Sequence, residues 1–441
     1  MKIKCTVLLG LWLLLSVGLQ AQESKKLTLD EAITLSLQNS KTLKGAQAKI
    51  DEATAALKEA VEKKLPSASV SGSYLRLTQA NFDLKSGNNS GGGSGSSPSV
   101  NQAVYGILNV SLPVYNGGRI RYGIESSRLL EQAIRLDAQG QKDEVIQTAI
   151  EAFANLFKAK TAVMLVRENL NQSKHREQDF ANMEKNGLMA RNDLLKAQLQ
   201  TSNVELNLLD AENNLQLAMV NMNLMLGLPA QTQWQLDTSN ITRKEDDRVL
   251  DDYLKAAQGN RTDQEAAGLR KQAALTGVKS ARSERYPALS LTGGYIAADV
   301  PHVFTVTNAM DLGLGVSYNI GSLWKSKSRI EQAQARVREL SSVEAVLGDK
   351  VELEVNRGYL NLLSARKKIE VYQKAFEQAS ENYRIIKNKF DNNLATTTEL
   401  IEADNAQLQA RLGFTLARAD AFVAYHRLLQ LSGLLGAELK K

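Results

Sequence analysis

The sequence predicts an α+β chain written twice: two long α-helical hairpins in tandem, each preceded by a pair of β-strands. Three observations carry this reading. Residues 110–228 match 316–434 at a constant offset of 206, which sets Phe153 on Tyr359, Asn155 on Asn361 and Gly227 on Gly433. Proline occurs only at positions 66, 98, 113, 229, 287 and 301, so long tracts rich in Ala, Leu, Gln, Glu, Lys and Arg are free to be helical. Four segments of about 10 to 12 residues alternate apolar with small polar side chains, the period of a half-buried strand.

Upstream of residue 110 the offset becomes 221, Lys64–Tyr74 answering Arg285–Tyr295. The difference falls in a Gly/Ser-rich loop near Gly87 to Ser99. Solenoid and propeller repeats recur every 20 to 50 residues or so, so each copy here is one large unit.

The elements follow in order. Residues 1–21 read as a secretory signal, with Lys2 and Lys4 before the apolar run Val7 to Val17 and a small-residue end at Gln20-Ala21. The single cysteine, Cys5, lies inside it, so the expected mature chain has no thiol for a disulfide, metal, nucleophile or lipid anchor. Of 54 basic residues, 52 remain after Lys2 and Lys4 are removed, against 48 acidic ones interspersed with them; this is a solvated surface and gives little case for nucleic acid.

The first repeat spans 22–229. It runs through a helix at Leu29 to Lys63, strands at 66–77 and 103–114, a 67-residue helix at Arg119 to Lys185, a turn at 186–193 and a helix at Asp193 to Leu226. A linker occupies 230–247. The second repeat, 248–436, has a helix from Val249, strands at 287–298 and 311–320, a long helix from Lys325, a turn at 392–399 and a helix from Glu399; a tail, 437–441, closes the chain. The long helix would reach about 100 Å at 1.5 Å per residue. The two shorter helices together match it in length, which predicts a rod of packed helices.

In Ser67 to Tyr74 the odd positions are Ser, in Leu108 to Val114 the even positions are apolar, and the fourth segment alternates Leu312, Leu314, Val316, Tyr318 and Ile320 with Gly313, Gly315, Ser317 and Asn319. Two readings fit: hairpins lying on a soluble core, or membrane-spanning strands. Strand length, nearby Tyr and Trp residues and the polar loop between the first two strands favour the membrane. Four strands cannot close a barrel, and open edges are costly in hydrocarbon, so several copies would have to combine.

Here the chain resembles the TolC-like outer-membrane efflux protein family. The carrying motifs are Leu65 to Tyr74, Leu112-Pro-Val-Tyr-Asn-Gly-Gly-Arg119 and the turn Gly187 to Leu194, in this order and duplicated. The resemblance implies a homotrimer with a shared twelve-stranded transmembrane β-barrel in outer-membrane lipid. It also implies a periplasmic helical barrel docked on a periplasmic adaptor and, through it, an inner-membrane pump of a tripartite efflux or type I secretion system. No cofactor or metal is implied. The alternative is a secreted or periplasmic coiled-coil structural or adhesion protein.

The resemblance makes the tips the adaptor-docking surface: Gly187, Leu188, Ala190 and Asn192 in the first, Asn393, Leu394, Thr396 and Thr398 in the second. Local turn chemistry explains the same residues, Gly187 and Asn393 as left-handed helix ends and Asn192 and Thr398 as N-caps. Asp193 falls on Glu399, but Lys196 falls on Glu402, so only the second copy has two carboxylates one turn apart. The resemblance suggests acidic residues here lining a cation-selective periplasmic gate, with Glu399, Glu402 and Asp193 as candidates; a solvated glutamate pair is the plain alternative. Some relatives hold a closed tip with an arginine and a tyrosine where this chain has Ala395 and Phe390. Nothing points to catalysis, since His175, His302 and His426 are scattered and no glycine loop has the spacing of a phosphate site.

Overall fold

The computed structural model describes residues 25–80, 100–237, 248–301 and 304–438. The expected signal, the Gly/Ser loop, His302, most of the linker and the last residues of the tail lie outside them. The elements are β1 (Lys25–Leu27), α1 (Leu29–Asn39), α2 (Lys41–Glu62), β2 (Ser67–Ala80), β3 (Val100–Tyr115), α3 (Arg119–Lys185), α4 (Arg191–Leu226), β4 (Trp234–Leu236), α5 (Leu250–Asn260), α6 (Thr262–Ser283), β5 (Ala288–Val300), β6 (Phe304–Ser317), α7 (Ser322–Asp391), α8 (Thr397–Leu431) and α9 (Leu435–Glu438). They form two compact units: one of Gln47–Asp137 with Asp263–Leu347, and one of the chain up to Ala46, Ala138–Thr262 and the chain from Gly348 onward.

The first unit holds an antiparallel sheet of order β2-β3-β5-β6. Its register aligns Val70 with Leu108, Leu108 with Tyr295 and Tyr295 with Met310, while the next row aligns Ser69, Asn109, Gly294 and Asp311. One face is therefore apolar and the other small and polar. The apolar face is not packed: Val70, Met310 and Leu312 are about four-fifths exposed. The expected strands are present with shifted ends, most of all at 311–320. That strand begins at Phe304 and ends at Ser317, because the carbonyls of Asn319 and Ile320 accept from Ser322 and Leu323 to start α7. The alternation at Tyr318 and Ile320 runs on past the strand.

The second unit is helical. α3 buries Ile146, Ile150 and Phe153 along one stripe, and α8 buries Tyr425, Leu428 and Leu429. α3 and α8 run antiparallel, cross-linked by Glu144–Arg427 at 3.4 Å, Lys158–Asp420 at 2.9 Å and Glu168–Arg411 at 3.0 Å.

The two opening helices are not continuous, contrary to the expectation for Leu29 to Lys63 and its counterpart from Val249. Each is broken into 11 and 22 residues, at Ser40 (ψ 119°) and at Arg261 (ψ 116°). Extended ψ removes these residues from the helix. Ser40 Oγ then caps the following helix by accepting the Leu43 N–H at 3.2 Å, and Arg261 donates to Glu354 at 2.8 Å and to the Leu431 carbonyl at 3.3 Å. Beside each break stands a glycine ending the hairpin helix. Gly227 has φ +71° and Gly433 φ +70°, and a Cβ on either would lie 2.8 Å from the Cβ of Asn39 or Asn260. Asn39 donates to the Leu226 carbonyl at 2.8 Å.

The short strands β1 and β4, which periodicity did not reveal, pair in parallel. Asn223 folds the chain back toward them, accepting from Trp234 Nε1 at 2.6 Å and donating to the carbonyls of Ala230 and Thr232. Among the described residues no helix is long and apolar enough to cross a membrane.

Candidate functional site

The two tips are the same turn made twice. α3 ends as Gly187, φ +72°, donates to the Glu184 carbonyl and Leu188 N–H reaches Met183 O at 2.9 Å. α7 ends as Asn393, φ 60°, donates to Phe390 O and Leu394 N–H reaches Lys389 O at 2.7 Å. This is the paired closure of a Schellman motif, which needs a left-handed residue at that point. The side chains of Asn186 and Asn392 each donate to the carbonyl four residues earlier, both at 2.7 Å. Leu188 and Leu394 stand out, 77% and 76% exposed.

The helices that follow start two residues earlier than expected. Ala190 and Thr396 occupy the N-cap positions, and Asn192 and Thr398 lie within the first turn, so they are not the caps. The reason is chemical in the second tip. Thr396 Oγ1 accepts the Glu399 N–H at 3.2 Å, while the Glu399 carboxylate accepts the Thr396 N–H at 2.6 Å and its hydroxyl at 2.8 Å. This reciprocal capping box is absent in the first tip, because Ala190 has no side-chain acceptor.

The three acidic candidates therefore differ. Glu399 is turned onto its own helix end, and the hydrogen bonds from the Thr396 backbone and then hydroxyl hold its carboxyl below the usual glutamate range. Asp193 accepts from Lys196 on its own helix at 3.1 Å. Glu402 is exposed and no described residue pairs with it. No contact among the described residues joins Asp193 to either glutamate.

Behind the turns the tips share a core of Phe180, Leu194, Ala197 and Leu400, with Tyr383, Ile386 and Phe390 packed against it. Phe180 and Phe390 stack with centroids 5.3 Å apart. Farther from the turns, Arg176 on α3 pairs with Asp404 on α8 at 3.0 Å, nearly out of solvent, and Asn169 donates to the same carboxylate at 3.3 Å. Sequence reasoning missed this buried pair. Its counterparts at the 206 offset are Asn382 and Gln198, so the duplication that exposed so much else hides it.

The profile of a protein family described as outer membrane efflux protein matches residues 32–228 and 253–434. No curated protein matches the chain by sequence. Among solved structures, the chain is similar to the outer membrane protein VceC of Vibrio cholerae, with 19% identity, TM-score 0.75, and 92% of this chain and 96% of that one covered. It is similar to the CmeC outer membrane channel of Campylobacter jejuni, with 17% identity, TM-score 0.76, and 93% and 88% covered. The open state of the MtrE outer membrane channel of Neisseria gonorrhoeae aligns at 15% identity, TM-score 0.70, with 92% and 89% covered.

Proposed function

The chain belongs to the outer membrane efflux protein family, and from that premise we propose that three copies build the exit duct of a tripartite efflux or type I secretion system. An outer-membrane efflux channel reaching into the periplasm is what membership gives, and it rules against the soluble coiled-coil alternative. The finer reading rests on one observation: the sheet exposes its apolar face and leaves the outer edges of β2 and β6 without partners among the described residues. Unpaired backbone groups cost several kcal/mol each in hydrocarbon. Pairing β6 with β2 of the next copy removes both edges, and three copies give twelve strands with apolar residues toward lipid and small polar ones toward the lumen.

In this reading the conduit is passive and the inner-membrane pump selects and drives the cargo. The exposed tips, with Leu188 and Leu394 at their apices, meet the periplasmic adaptor. Glu402, with Glu399 and Asp193, lines the narrow end, giving a ring that favours cations. Single-channel recording of the Glu399→Ala, Glu402→Ala variant tests the ring: reduced cation selectivity and weakened block by multivalent cations are expected, and unchanged values for both overturn it. Replacing Leu188 and Leu394 by Asp should abolish adaptor co-purification while leaving conductance intact.

A further inference from the structure

The positive charge of the chain is gathered at one level. The strand ends at Ser67, Tyr115, Ala288 and Ser317 lie together at one end of the sheet, since Ser67 aligns with Ser111, Tyr115 with Leu289 and Ala288 with Ser317. The segments that join these ends to helices, 55–66, 116–127, 276–287 and 318–329, hold eleven basic and four acidic residues. The rest of the chain holds 43 basic and 44 acidic, so the excess of positive charge belongs to this collar. At the other end of the sheet, 76–104 and 296–308 balance, with Arg76, Lys85 and Asp83, Asp299. Within the collar, Arg285 and Arg329 hold α6 beside α7, on Ser326 at 2.9 Å and Glu284 at 2.6 Å. Lys64, Arg119, Arg121, Arg282 and Lys325 are exposed, and no described residue pairs with their side chains.

Large apolar side chains share the same level. Val114, Tyr115, Tyr286, Tyr318, Ile320 and Trp324 are 42% to 65% exposed. Val114 continues the apolar row of Val110 and Leu112, and Tyr318 and Ile320 continue that of Leu314 and Val316. On α7 the buried Ser322, Ser326 and Ile330 form one stripe, which leaves Leu323, Trp324 and Lys327 together on another side. Exposed aromatic residues flanked by unpaired cations suit a bilayer surface, where rings settle at headgroup depth and long basic side chains reach the phosphates. We infer that this collar is a binding surface for anionic phospholipids at the periplasmic boundary of the bilayer. The inference rests on the barrel reading, which sets the apolar face of the sheet in lipid, and adds the lipid class at its edge. A zwitterionic lipid offers the same phosphate with an ammonium beside it, so an unpaired cation gains less from it than from a lipid of net negative charge.

Tryptophan fluorescence tests the surface. Trp12 falls in the expected signal, Trp234 is 5% exposed and Trp324 is 65% exposed in the collar, so Trp324 reports on the lipid around it. The full channel is reconstituted into vesicles of equal parts phosphatidylglycerol and phosphatidylethanolamine, with bromine on the acyl chains of one or the other, and single-channel recording establishes insertion. Stronger quenching by brominated phosphatidylglycerol is expected, equivalent to about threefold enrichment at Trp324. Lys64→Gln, Arg119→Gln, Arg121→Gln, Arg282→Gln and Lys325→Gln together should bring the two lipids to equal quenching, as should molar salt. Replacing Lys350, Lys367, Lys368, Lys374 and Lys387 by Gln removes the same charge farther along α7 and should leave the preference intact. Equal quenching in the unaltered channel, or a preference that survives the five collar substitutions, overturns the inference. A preference that inorganic phosphate abolishes, while chloride at the same ionic strength does not, marks a site for free phosphate and overturns the lipid assignment. A conducting channel whose Trp324 neither lipid quenches overturns the collar and leaves the channel standing; failure of the unaltered chain to conduct overturns the barrel reading with it.

Discussion

The two hairpin tips share one backbone and differ in their side-chain chemistry. Both close with a left-handed residue at the same position, Gly187 or Asn393, the same two backbone bonds and the same asparagine bond to the carbonyl four residues back. The second then locks the next helix with a threonine–glutamate box, while the first begins at an alanine and holds its acid with a lysine. What the duplication preserved is backbone geometry, which the long antiparallel helices demand. What it released is side-chain chemistry at positions where solvent can replace a lost bond. Farther in the copies differ as well: α3 and α8 bury Arg176 and Asp404, and the positions 206 residues away carry Asn382 and Gln198, both exposed.

Each difference can be tested by writing one copy's residues into the other. The largest effect belongs to the buried pair. Asp404→Asn leaves Arg176 enclosed without its counter-ion and should cost about 3–5 kcal/mol, read from the guanidinium unfolding midpoint. The double variant Arg176→Asn, Asp404→Gln, which installs the other copy's residues, should cost much less; a cost equal to the single variant would show that the penalty does not come from the stranded charge.

Next come the glycines. Gly433→Ala forces a left-handed alanine against the backbone of Asn260, a cost of roughly 2–4 kcal/mol from conformation and overpacking together. Gly227→Ala meets only the Asn39 side chain, so it should cost less, and melting temperatures order the two. Smaller still is the cap. Thr396→Ala should destabilise by about 1 kcal/mol and Ala190→Thr should stabilise by about half as much, visible as opposite changes in amide exchange in the two first turns.

The smallest effect is a pH dependence. Because the folded-state value of Glu399 is depressed, its contribution is fully present above its ordinary value near 4.5 and is lost as pH falls through the lower folded value. Exchange protection at the start of α8 should fade over that range, and should do so less steeply in Thr396→Ala.

Much of this was legible in advance. α3 runs from Arg119 to Lys185 as read from composition and the flanking turns, and Gly187 and Asn393 take the left-handed conformation expected of them. The breaks at Ser40 and Arg261 escaped because neither residue is a glycine or proline. The signal that could have found them was the recurrence of Asn39 and Asn260 at the offset of 221, each opposite a helix-ending glycine. The caps were misplaced because Asn192 offers a capping side chain in the first turn of α4, where the cap position itself holds Ala190, and because Thr396, Thr397 and Thr398 stand in a row at the start of α8, where only the three-residue reach from Thr396 to Glu399 selects one of them. The buried Arg176–Asp404 pair left no trace in periodicity, since each residue alone looks like one more charge on a solvated helix.

The open edges of β2 and β6 carry a consequence for biogenesis. A chain that has crossed into the periplasm displays two strand edges that no described residue covers, together with an apolar face, before any partner has arrived, a combination that invites off-pathway aggregation. For the proposed barrel, closure waits on an encounter between chains, so the yield of inserted channel should depend steeply on subunit concentration, and the unassembled chain should require a chaperone that shields the sheet until the last edge is paired.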